Sequence, residues 1–137
     1  MNLAEKKQKL TQQLLTLKNG QDRMAFLVES AKQNPPYPAE FKTDTHLVPG
    51  CLAKLWLLKE FKEGNCFFRC DSDSQIVKAI AGLLCDLYSQ QDPEEILAND
   101  PAFLGPLGIT QHLTPNRRNA LAKVWDEIRL FAESKRS

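Results

Sequence analysis

A chain of 137 residues, 42% hydrophobic and 26% charged, is long enough for one globular domain around one core and too short for two ordinary ones, so residues 1–137 are read as a single domain. Eighteen Lys and Arg against seventeen Asp and Glu leave a formal charge of +1, which excludes a whole-molecule field able to recruit nucleic acid or an anionic membrane. The opening Met1-Asn2-Leu3-Ala4-Glu5-Lys6-Lys7 mixes acid with base and meets no apolar run long enough for a signal peptide or a membrane span, so a cytoplasmic location is expected.

Leu3, Leu10, Leu14 and Leu17 recur at helical spacing, which predicts an amphipathic helix over 3–18 that Asn19-Gly20 stops. Met24, Phe26, Leu27, Val28 and Ala31 give an apolar face to a second helix from Asp22 to about Gln33. The prolines Pro35, Pro36 and Pro38 fix φ and remove backbone donors, so an extended or turning connection follows. His46-Leu47-Val48 is read as an edge strand. The aromatic and aliphatic run from Lys54 to Phe61 favours a strand, and Glu63-Gly64-Asn65 then turns the chain into the short aromatic run Cys66–Cys70, completing a β-hairpin.

Ser72, three residues before Gln75, predicts a capping box opening a helix whose apolar residues are Ile76, Val77, Ile80, Leu83, Leu84 and Leu87. Asp92-Pro93-Glu94-Glu95 signals another short helix, with a cap, a first-turn proline and two acids. Gly105, Pro106 and Gly108 keep the next stretch irregular. Thr114-Pro115 then opens a long terminal helix striped by Leu121, Val124, Trp125, Ile128 and Phe131. The expected fold is α+β, a small antiparallel sheet of about three strands flanked by helices.

The four cysteines, Cys51, Cys66, Cys70 and Cys85, are irregularly spaced, which in a cytosolic chain favours reduced thiols over a disulfide set. Cys51 follows Val48-Pro49-Gly50 on a loop whose glycine permits conformations that other residues resist. A partner can reach a thiol presented in this way. The bland reading of such a residue is apolar filling, because cysteine is among the most buried residue types.

Val48-Pro49-Gly50-Cys51-Leu52-Ala53-Lys54-Leu55-Trp56-Leu57 resembles the Gly-Cys motif and Trp-bearing strand of the SufE/CsdE family. Asp71-Ser72-Asp73-Ser74-Gln75-Ile76-Val77-Lys78 is similar to that family's helix-opening segment, and Leu113-Thr114-Pro115-Asn116-Arg117 to its Leu-(Ser/Thr)-Pro-Ser-Arg segment. The three occur in the family's order, and the likeness covers nearly the whole chain. The resemblance implies a SufE-like fold and a sulfur acceptor that activates a pyridoxal-phosphate cysteine desulfurase of Suf or Csd type and supplies a downstream iron–sulfur scaffold. It implies that Cys51 is the persulfide-carrying residue, with Pro49 and Gly50 shaping its loop. Arg117 matches the family's arginine, able to steady a thiolate or pair with a partner's carboxylate; Arg118 has no such match.

Asp73 matches a family acid near the acceptor loop, which places it with Arg117 as support for the thiolate or a partner, and it also suits a helix start, which is the role preferred here. Persulfide transfer to a thiolate proceeds like disulfide exchange and requires no cofactor of the acceptor, the pyridoxal phosphate belonging to the desulfurase. His46 and His112 are read as structural or solvated, and Trp56 as core filling. Ala53 stands where the family often has Ser, and Ala79 and Ala120 where it often has Gly. No metal site is expected, because Cys66 and Cys70 lie too far apart along a strand for easy chelation and Cys85 sits among leucines as a small filler. Two other classes remain open at this level: a metal-binding iron–sulfur scaffold, and a thiol oxidoreductase, against which the missing Cys-x-x-Cys motif argues.

Overall fold

The structure, a computed structural model, describes residues 2–136 and their side chains apart from that of His112. Helix α1 spans Leu3–Leu15, and a capping box opens it: Asn2 Oδ1 accepts from Glu5 N at 2.8 Å, and Glu5 Oε1 accepts from Asn2 N at 3.2 Å. Leu3, Leu10 and Leu14 are buried, as their spacing predicts. Asn19 and Gly20 start the next helix instead of ending the first. Asn19 Oδ1 caps Asp22 N at 2.8 Å, and α2 runs Gly20–Ala31.

The Pro-rich connection leads through two 3-10 turns, Ala39–Phe41 and Asp44–His46, to the hairpin of β1 (Leu55–Lys62) and β2 (Asn65–Ser72). Glu63 at φ 51° and Gly64 at φ 82° make a two-residue turn with both central residues left-handed, the geometry that matches the twist of paired strands. Leu55 lies opposite Ser72 and Lys62 opposite Asn65. The sheet has two strands where three were expected, since Leu47 makes only an isolated bridge to Trp56. Val48 N still donates to Leu55 O at 2.8 Å, but Pro49 has no N–H to continue the ladder and Gly50, at φ 83°, turns the chain away.

Strand alternation decides the fate of Trp56. Leu55 and Leu57 point into the core, so Trp56 lies on the opposite face, half-buried, with Lys42 Nζ 5.6 Å from its ring centroid. The core-filling expectation for it therefore fails. That outer face is tied to the Pro-rich connection by Asp71, which pairs with Lys42 at 2.6 Å and with Lys78 at 3.5 Å.

Helix α3, Gln75–Tyr88, is the central element and packs on β2, α2 and α5. Its cap is Ser74, whose Oγ accepts from Val77 N at 3.3 Å, and not Ser72, which still belongs to β2. A Cβ at Gly82 would lie 3.1 Å from Asn34 Nδ2 and 3.4 Å from Ala31 Cβ, so glycine here lets α2 approach closely. Short helix α4 (Pro93–Leu97) is capped by Asp92, and α5 (Pro115–Lys135) by Thr114, both as expected. From α5, Val124, Ile128 and Ala132 are fully buried, Trp125 packs on Tyr88, and Phe131 meets Phe68 edge-on at 5.9 Å. One buried cluster runs from Leu3 to Ala132 and joins every helix to the inner face of the hairpin. No helix among the described residues is long and apolar enough to cross a membrane.

Candidate functional site

Between Val48 and Leu55 the chain is gripped at both ends. On the near side, α5 holds it: Asn119 Nδ2 donates to Gly50 O at 2.9 Å, and a Cβ at Gly50 would lie 3.1 Å from Lys123 Cε. On the far side, the β2–α3 junction holds Lys54. Asp73 Oδ1 accepts from Lys54 N at 3.1 Å, Asp73 N donates to Lys54 O at 3.2 Å, and Ser72 Oγ donates to the same carbonyl at 2.7 Å. The residues left between these grips are Cys51, Leu52 and Ala53.

Cys51 is half-buried and Leu52 beside it is 84% exposed. The thiol lines a cleft of about 230 Å³ whose walls also include Ser74, the cap of α3, and Val77 within it, with Thr114, Asn116, Arg117 and Ala120. Burial pushes the Cys51 thiol above its ordinary pKa, and the ammonium of Lys123 opposes that rise. In this arrangement the sulfur is held largely as the neutral thiol, next to a cation that favours its ionisation once water or a partner reaches it.

The proposed helpers of Cys51 separate. Arg117 lines the cleft half-buried, and its guanidinium makes no ion pair or hydrogen bond among the described residues, whereas Arg118 is exposed and outside the cleft. Asp73 does not line the cleft and does not cap α3; its carboxylate is occupied by the Lys54 backbone. The capping expectation is corrected, because the chain reaches helical geometry only after Ser74. Pro49 and Gly50 are exposed at the turn into the loop. His46 is a local packing residue, edge-on to Phe41 at 5.3 Å and 3.0 Å from Thr43 Oγ1, while the side chain of His112 lies outside the described residues.

The other thiols lie elsewhere. Cys66 is fully buried, and Cys70 and Cys85 line a separate cleft. No group of three or more His, Cys, Asp or Glu is placed to hold a metal ion among the described residues.

A family profile described as "SufE: Fe-S metabolism associated domain" matches residues 8–132. The chain belongs to the SufE family. With the family comes its association with iron–sulfur metabolism. The fold is shared with the solution structure of a hypothetical protein from Thermus thermophilus, at a TM-score of 0.78 and 23% identity, with 98% of each chain covered.

Within this SufE chain, Asn119 and Lys123 are site residues that sequence reasoning missed. They sit one turn apart on α5, a spacing shared by any exposed helix face, and become informative only once the Gly50 loop is seen lying on that face. Ala120, which stands where the family often has Gly, puts its methyl group into the cleft wall. Gly50→Ala places a Cβ both in left-handed backbone and against Lys123 Cε. It is expected to lower stability by about 1–2 kcal/mol in urea denaturation, and to slow Cys51 alkylation by displacing the ammonium.

Proposed function

We propose that this chain takes a sulfane sulfur onto Cys51 from the persulfide of a Suf- or Csd-type cysteine desulfurase, speeds that enzyme's turnover, and passes the sulfur to an iron–sulfur scaffold in the cytoplasm. The Cys51 thiolate attacks the terminal sulfur of the donor persulfide. The donor S–S bond breaks, its cysteine leaves as a thiolate, and the new S–S bond is on Cys51. Oxidation state is conserved overall, and the proton given up by Cys51 goes to solvent or to the departing thiolate. The chain needs no cofactor of its own for this step.

The observation that carries the reading is a single thiol at the centre of a loop gripped at both ends, opening on a cleft with an Arg117 guanidinium that is unpaired among the described residues. Arg117 has the charge to hold the incoming anionic persulfide or a carboxylate of the docking enzyme. Exposed Leu52 offers the desulfurase an apolar contact next to the thiol. The test is mass spectrometry after incubation with desulfurase and cysteine: one added sulfur is expected on the Cys51 peptide. Sulfur found mainly on Cys66, Cys70 or Cys85 would overturn the assignment.

A further inference from the structure

Cys70 and Cys85 face each other across the β2–α3 packing. Two contacts fix how these elements run: Cys66 bridges to Gln91, and Ser89 Oγ both accepts from Phe68 N at 3.0 Å and donates to Phe68 O at 3.2 Å. From that second contact, two residues along the strand lead to Cys70 and four residues back along the helix lead to Cys85. These steps cover about 6.6 Å and about 6 Å, so the two side chains arrive at the same level. Cys70 lies on the core-facing side of β2 with Cys66 and Phe68, and Cys85 is buried on α3. Interaction with the Cys70 thiol, together with burial, holds the Cys85 thiol well above its ordinary pKa.

Both sulfurs line a cleft of about 690 Å³, distinct from that of Cys51, with Tyr37, Lys78 and Arg69 among its other walls. Cys70 is half-buried there and Cys85 sits behind it. The cleft is large enough to admit a peptide-sized molecule, and the order of the thiols is that of an attacking and a resolving pair.

We propose that Cys70 and Cys85 form a second reactive site, an oxidisable dithiol whose oxidant is a low-molecular-weight disulfide entering this cleft. The Cys70 thiolate attacks one sulfur of the small disulfide, forming a mixed disulfide and releasing one small thiol. Cys85 then gives up its proton to solvent and attacks the Cys70 sulfur, releasing the second small thiol. The protein dithiol loses two electrons and two protons, and one small disulfide becomes two thiols. The site does not depend on what Cys51 does, and reduction by excess thiol reverses it.

Glutathione disulfide serves as the probe on the full chain, followed by acid quenching, denaturation, alkylation and peptide mapping. The expected product joins the Cys70 and Cys85 peptides with loss of two hydrogens, leaves Cys66 alkylated, and raises Tm by roughly 10 °C, because the bond closes a loop of about 15 residues. Cys85→Ala should trap glutathione on Cys70, whereas Cys70→Ala should leave buried Cys85 unmodified. Persistent glutathione on Cys70 of the unaltered protein, with Cys85 still alkylated after denaturation, would overturn the proposal, and that map suffices even if a variant fails to fold.

Discussion

On the proposed function, replacing Cys51 by serine is expected to abolish stimulation of a cysteine desulfurase, a loss to the unstimulated rate, while Cys66→Ala, Cys70→Ala and Cys85→Ala are each expected to keep most of it. A serine hydroxyl in the same position is not ionised at neutral pH and does not attack a persulfide sulfur, so the step has no substitute nucleophile. The three other thiols cannot stand in. Cys66 is buried at the far end of β2, and Cys70 and Cys85 open on a different cleft. The half-buried position of Cys51 makes Cys51→Ser a small perturbation of the fold, so the measurement separates chemistry from stability: sulfide release is followed with the variant's thermal midpoint as control. A variant that still stimulated fully would move the acceptor role away from this loop.

The same assay reads Arg117. Its guanidinium stands in the cleft wall without a partner among the described residues, and Arg118, one residue on, lies outside the cleft. On the same reading, Arg117→Ala is expected to lower stimulation several-fold and Arg118→Ala to leave it nearly unchanged, with the fold intact in both.

What could be read from the sequence follows the range of the forces involved. Helices α3 and α5, the hairpin and its turn were legible because each is set by local periodicity, a local cap, or a glycine at one position. The third strand was not, since His46-Leu47-Val48 beside Pro49 fits a short strand but cannot sustain a ladder. The face taken by Trp56 was missed for a related reason: its size argued for the core, and strand alternation, fixed by Leu55 and Leu57, overruled size. At the candidate site, Cys51 and Arg117 were found by motif. The grips on the loop were not, because Asn119, Lys123 and Asp73 act on backbone atoms or glycines distant in sequence, and no pairing rule links position 119 to position 50. Asp73 takes a role other than capping, since its carboxylate is equally suited to a helix start and to an exposed backbone N–H, and tertiary structure brought Lys54 N to it first.

Alkylation of Cys51 in the free protein is expected to be at least about tenfold slower than for the same thiol in the denatured chain, and to accelerate when a desulfurase lacking its own active cysteine docks. Half-burial raises the thiol's pKa, so at neutral pH the reactive thiolate is scarcer than in an unfolded chain. The sign is fixed by that direction: the rate keeps climbing with pH beyond the range where an ordinary thiol has already levelled off. Lys123→Ala removes the charge that opposes the rise and slows the reaction further at neutral pH. Asn119→Ala frees the Gly50 carbonyl and speeds it, because the loop then leaves α5 more readily. Buried Val48 and this hydrogen bond hold the loop against the domain, with no contribution from Leu52, which is exposed. A modest preference is enough to turn it outward, since a partner that binds the open form about a hundredfold more tightly contributes about 2.7 kcal/mol toward it. Stopped-flow or mass-based alkylation across pH, with and without the docked enzyme, distinguishes the cases. If free Cys51 reacted as fast as an unfolded thiol and docking only protected it, the thiol would be permanently exposed and the grips at Gly50 and Lys54 would serve stability alone.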